Sequence, residues 1–362
     1  MRAKERQANF EILRILSMVM VISLHYLIKG KITIPLSQDI SLVNLTAWLL
    51  QSFCIVAVNV YVLISGYFLP EAKWGLKKLI YLVAQVWFYS VGVALLCLLL
   101  HVGEVRSWDL YDWMAVLFPF QMEHYWFATA YLVMYLFTPV IKAALKYLKK
   151  NELERLIFLL LLFFSVGKSI IPIKVPTDQY GYDFGWFLCL CLIAGYIKIY
   201  GIDWFNRIRK GLFLYFIFSA GIFAYSVFLG ILCQKGLPLS YALDMNYSYN
   251  HILVLTASLG IFYGFKYMKP KKTARTTLLC KAAPYTFGVY LLHENFAVRN
   301  LWPLWFGVDK VRGTMLFPLH MGITVILVFA AGIVIDYGRS CIFNRAEALF
   351  CKNSARHNKN DE

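Results

Sequence analysis

Residues 10–26 read FEILRILSMVMVISLHY, an apolar run that carries one carboxylate, one guanidinium and one imidazole. On a helix of 3.6 residues per turn, Arg14 and His25 are separated by about 1,100°, roughly 20° beyond three full turns, with a rise of about 16.5 Å. Glu11, three residues before Arg14, falls on the same stripe. The run predicts one membrane-crossing helix with its polar groups on a single face, spread over much of a bilayer's depth. Ionisable groups at that depth are costly unless they face a bundle interior or a wet cavity, which makes them functional candidates by default. Glu11, Arg14 and His25 are therefore the candidate catalytic groups.

Outward from this run the chain keeps the same character. Of its 362 residues 60% are hydrophobic and 15% charged, and the mean hydropathy is +0.60. That composition belongs to membrane proteins. Apolar stretches long enough to cross about 30 Å of hydrocarbon recur at 10–29, 45–69, 76–101, 125–147, 156–172, 183–200, 211–233, 251–268, 283–301 and 315–337. The expected fold is all-α: a polytopic bundle of ten transmembrane helices over residues 1–337, followed by a basic, solvated tail at 338–362. No connection is long enough to separate a pair of folded domains, and no internal repeat is evident.

Basic residues orient this bundle, because short cytoplasmic loops collect Lys and Arg. With the N-terminus inside, 26 of the 36 Lys and Arg fall on the cytoplasmic side and 9 on the other. Both termini are then expected in the cytoplasm. The net charge of +16 is mainly this topology signal, and no nucleic-acid-binding module accompanies it. Of the eight cysteines none pairs up in an outer loop, so no disulfide is expected. The first span is too long and too polar for a cleaved signal peptide and is expected to remain. Six of seven histidines (His25, His101, His124, His251, His293 and His320) lie in or beside spans, five toward the outer side and His293 near mid-depth. No two have the spacing of a metal-ligand pair, so no metal is expected.

The opening NFEILRILSMVMVISLHY, with ten residues between Arg14 and His25, resembles the first-helix signature of acyltransferase family 3, membrane-bound O-acyltransferases of bacterial surface glycans. VNVYVLISGYFL (58–69), HYWFATAYLVMYLFTPVI (124–141) and YTFGVYLLHENF (285–296) resemble it further, in order. The chain departs from the family before the third span, where KWGLKKL carries Lys73, Lys77 and Lys78 in place of arginines. Some members add an extracellular hydrolase-like domain, which is not expected here.

The resemblance implies an acyl-CoA donor, usually acetyl-CoA, reached from the cytoplasm, and a glycan or other hydroxyl acceptor met near the opposite face of a cell membrane. Arg14, Lys77 and Lys78 are the candidates for the phosphate-rich donor. An imidazole titrating near neutrality suits His25 as general base toward the acceptor hydroxyl, or as the acyl carrier itself. Arg14 would bind the donor or stabilise oxyanion charge, or simply pair with Glu11. His124, Trp126 and Tyr131, continued by Tyr135, would form an acceptor platform, with an interfacial aromatic belt as the plainer reading. Tyr290 and His293 extend the polar path. Of His293 and Glu294, about 100° apart on a helix, one at most is expected to enter it, and His293 is the favoured one. Ser65 and Gly66 are read as close-packing residues. A transporter or flippase of lipid-linked sugars, and a membrane scaffold, are the rival classes. Oligomeric state is not legible.

Overall fold

The computed structural model describes residues 7–122, 124–170, 179–202 and 207–360, with side chains as far as Leu349. All regular structure among these residues is helical. The first half contains α1 (Ala8–Lys29), α2 (Leu42–Cys54), α3 (Ala57–Phe68), α4 (Leu76–Leu100), α5 (Leu110–Leu117), α6 (Trp126–Leu136), α7 (Thr138–Tyr147), α8 (Lys150–Leu161) and α9 (Gly167–Ile170). The second half contains α10 (Phe184–Ile199), α11 (Ile208–Gln234), α12 (Ser240–Met245), α13 (Ile252–Lys266), α14 (Ala274–Ala282), α15 (Thr286–His293), α16 (Trp302–Trp305), α17 (Val308–Val311) and α18 (Phe317–Asn360).

Five segments among the described residues are long and apolar enough to cross a bilayer: α1, the α2–α3 pair running Leu42–Glu71, α4, α11, and α18 as far as Leu349. A sixth arises if α6 and α7, bent by 53°, count as one. Proline explains that bend. Pro139 enters the first turn of α7, where it offers no N–H and restricts the residue before it. The apolar helices α10 and α13, of 16 and 15 residues, fall short of the roughly 20 needed for a straight crossing.

Two further stretches read as spans are interrupted. Residues 156–172 divide into α8, a π-helical turn at Leu162–Val166, and α9, with 171 and 172 outside the described residues. Residues 283–301 hold a 3-10 turn at Ala283–Tyr285 and then the eight-residue α15. The helix stops because Asn295 turns its side chain on the backbone: its Oδ1 accepts the Ala297 N–H at 3.0 Å, while its Nδ2 donates to the Tyr89 carbonyl and the Tyr125 hydroxyl. A side chain that competes for backbone groups ends a helix. At the other end of the chain, α18 runs without interruption past residue 337. Arg339 is 5% exposed there and forks onto Asp336, with Nε–Oδ1 at 2.6 Å and Nη2–Oδ2 at 3.1 Å. Pairing removes most of the cost of burying these charges, so α18 stays packed at Arg339, while its described side chains after Phe343 are exposed as far as Leu349.

α1 is the central helix and packs against α2, α3, α13, α15 and α18. Behind it α3 and α10 meet closely. A Cβ at Gly66 would lie 2.7 Å from the Cys191 Cα, so the glycine in ISGYF permits this contact, as its small size suggested. α15 is anchored in a similar way: a Cβ at Gly288 would overlap the Asp336 carboxylate. That carboxylate also accepts from Tyr89 and Gln85 of α4. A buried ion pair thereby ties α4, α15 and α18 together and fixes the helix that faces His25.

Candidate functional site

Three cavities follow one another along α1. The first, about 290 Å³, is lined by Arg14, Tyr61, Ser65, Phe127, Tyr131 and Phe287 among others. Tyr61, Phe127 and Phe287 also line the second, a neck of only about 30 Å³ that reaches His25 past Met18, Val21 and Val58. The third is a bowl of about 500 Å³ that shares Leu24, His25, Trp126 and Tyr249 with the neck. Arg14 and His25 thus open onto a row of neighbouring spaces that share wall residues, with side chains 23% and 18% accessible. The eleven-residue spacing fits this arrangement, because three helical turns return the chain to the same face.

At the Arg14 end, Nη1 donates to Glu11 Oε2 at 2.9 Å. A guanidinium carries five N–H donors, so pairing with Glu11 leaves donors directed to the cavity. Glu11 is buried and lines none of the three spaces. It holds Arg14 in place. Lys77 and Lys78 are exposed at the start of α4. Lys77 pairs with Glu347, and Lys78 donates to the Lys73 carbonyl at 3.2 Å. Neither lines the Arg14 cavity, although Leu82, one turn further along α4, does.

At the His25 end the hydrogen bonds assign the tautomers. His293 Nδ1 lies 2.6 Å from the Val289 carbonyl, which can only accept, so this nitrogen carries the proton. In the neutral ring Nε2 then has a lone pair, and it sits 2.9 Å from His25 Nδ1. His25 Nδ1–H therefore donates to His293, and the lone pair of His25 falls on Nε2. Glu294 Oε2 lies 3.7 Å from that nitrogen; both atoms are acceptors, so no hydrogen bond joins them while His25 is neutral. Lys29 Nζ, 2.5 Å from Glu294 Oε1, holds the carboxylate from its other side.

His293 and Glu294 both lie against His25, but of the two only Glu294 lines one of the three spaces, so one residue enters the path and it is not the favoured His293. The 100° rule holds inside a helix, but α15 ends at His293 and Glu294 is its cap, so the turn brings both groups to one side. Tyr290 lines the neck, Trp126 the neck and the bowl, and Tyr131 the Arg14 cavity. Tyr135 lies elsewhere and donates to the Gly75 carbonyl. His124 lies behind the path. Its Nε2 accepts the Phe296 N–H at 2.8 Å, and its ring stacks on Tyr125 at 4.1 Å. Burial, and then the Arg299 charge, push its pKa down to about 4, so it remains a neutral acceptor.

For Lys29, Ser65, Tyr61 and Glu294 residue reasoning fell short: it passed over Lys29 and Tyr61, read Ser65 only as a close-packing residue, and preferred His293 to Glu294. A signal existed for the first three. Lys29 follows His25 by four residues, and Ser65 follows Tyr61 by four, so each pair shares a helix face. Nothing in the residue pattern indicated that α15 would stop before Glu294.

A family model described as an acyltransferase domain, that of acyltransferase 3, matches residues 7–337. Comparison with curated proteins and with solved structures found no match.

Proposed function

The chain belongs to the acyltransferase 3 family, and from that premise we propose that it transfers an acetyl group from cytoplasmic acetyl-CoA to a hydroxyl of a cell-surface or lipid-linked glycan. The observation that carries this reading is the row of neighbouring cavities, sharing wall residues, from Arg14 through the neck to His25 and the bowl. It is a multi-pass protein of the cell membrane with ten crossings, the interrupted helices included, and both termini in the cytoplasm. The bias of basic residues, 26 against 9, supports this orientation. The Arg14 cavity then faces the donor side and the bowl the acceptor side.

In this account the donor enters at Arg14, whose free N–H groups bind its phosphate or pantetheine portion, with Lys77 and Lys78 attracting the anion at longer range. The extended arm brings the thioester about 16 Å along α1 to His25. An acceptor hydroxyl donates to His25 Nε2, and the Glu294 carboxylate beside that nitrogen stabilises the imidazolium that forms. Nε2 takes the proton as the oxygen attacks the thioester carbon, the carbon–sulfur bond breaks, and the proton leaves with the thiolate of coenzyme A. General-base assistance of this kind is worth about 10²–10⁴-fold. The neck, with room for little more than one water-sized group, favours an acetyl group over longer acyl chains.

The test uses purified full-length protein and radiolabelled acetyl-CoA. Arg14→Ala should weaken acetyl-CoA binding about 10–100-fold, the value of one or two charge-assisted hydrogen bonds. Unchanged affinity would return Arg14 to a purely structural role.

A further inference from the structure

Pro139 lets α7 turn away from α6 by 53°. Beyond the bend, α7, the turn at Leu69–Glu71 and the last residue of α10 border a recess of about 430 Å³. Among the described residues the charged groups lining it are Lys142 and Lys146, four apart and so on one helix face. Lys142 is half-buried, and its Nζ donates to the Ala72 carbonyl at 2.7 Å. An ammonium has three N–H donors, so two are left for a ligand. No described carboxylate lines the recess, whereas Lys77, Lys150 and Lys198 each have a glutamate partner. The rest of the lining is apolar or aromatic. Tyr147 and Ile199 in it, and Val140 beside it, are 74%, 45% and 60% exposed.

We infer that this recess binds the phosphate of an anionic phospholipid, with Lys142 and Lys146 on the headgroup and the acyl chains along Val140 and Ile199. The inference rests on the proposed function only for the orientation, which places this end of the bundle at the cytoplasmic leaflet. Basic recesses between helices at that face suit acidic headgroups, and each lysine near the surface adds to the attraction. A zwitterionic headgroup brings its own cation beside the two lysines, so the recess separates acidic from zwitterionic lipids. A soluble anion would satisfy the lysines and leave the exposed apolar side chains uncovered, whereas a lipid covers both. The recess shares no lining residue with the Arg14 cavity, so its ligand is distinct from the acyl donor.

The experiment is a lipid competition read by native mass spectrometry. The full chain in detergent is offered equal amounts of dioleoyl phosphatidylglycerol and dioleoyl phosphatidylcholine. Two lysines predict retention of phosphatidylglycerol by about tenfold over phosphatidylcholine. The double variant Lys142→Gln/Lys146→Gln should bring the ratio near parity. Lys146→Glu, a change at an exposed position, should by itself lower it at least threefold. Lys269→Gln/Lys271→Gln removes the same charge from exposed positions outside the recess and should leave the ratio within twofold of wild type. Wild-type retention without preference overturns the inference, as does equal loss in the two double variants or no loss in Lys146→Glu. Two competitors separate the sources of phosphate. Displacement of the lipid by glycerol 1-phosphate would make the recess a site for soluble phosphate, and displacement by acetyl-CoA would make it part of the donor path; either result overturns the inference. No acyl transfer is measured, so a negative result strikes the lipid site and leaves the transfer reading standing.

Discussion

His25 acquires its chemistry from a neighbour 268 positions away in the chain. The Val289 carbonyl fixes the proton of His293, and His293 in turn fixes that of His25. A lone pair at Nε2 is the consequence, and a base must have its lone pair where the substrate lies. His293 is a positioning residue in this scheme. His293→Ala should lower the transfer rate about 10–100-fold and leave the KM for acetyl-CoA unchanged. His293→Gln, whose amide oxygen can accept from His25 Nδ1–H, should recover some of that loss. Equal loss in both variants would show that no such hydrogen bond matters. The pair Arg14 and His25 was legible because both lie on one helix, where spacing determines direction. The His25–His293 contact was not, because no local pattern encodes which helix ends opposite which.

At the scale of elements, the neck is built by α1, α3, α6 and α15, through Met18 and Val21, Val58, Phe127 and Phe287. Its width follows from how close α15 lies to α1, and α15 is held by the Gly288 notch around Asp336. Phe287→Ala removes a ring from both the neck and the Arg14 cavity. The enlarged passage should admit butyryl-CoA as donor, raising the butyryl-to-acetyl rate ratio about tenfold in a competition assay. An unchanged ratio would show that acyl length is selected elsewhere. Sequence periodicity located the apolar stretches but overstated their continuity. Pro139 and Asn295 break helices through backbone chemistry that a hydropathy window averages away. The end of α15 is also what brings Glu294 within 3.7 Å of His25.

For the whole molecule, the composition alone indicated a membrane protein, and membership of an acyltransferase family agrees with the four motifs in their order. Less legible was the bowl, whose residues come from α1, α2, α6, the turns around Tyr180 and Tyr249, α12 and the cap of α15. Assemblies of that kind exist only after packing. In the proposed scheme the molecule is a passage with a donor cavity at one end, an acceptor bowl at the other, and His25 between them. The most direct measurement is the ester content of surface glycans, released by mild alkali and measured by mass spectrometry, in cells carrying wild-type or His25→Ala protein at equal expression. The His25→Ala cells should lose about 99% of the ester or more relative to wild type, an effect of about 10²-fold. Equal ester content in the two would contradict a catalytic His25.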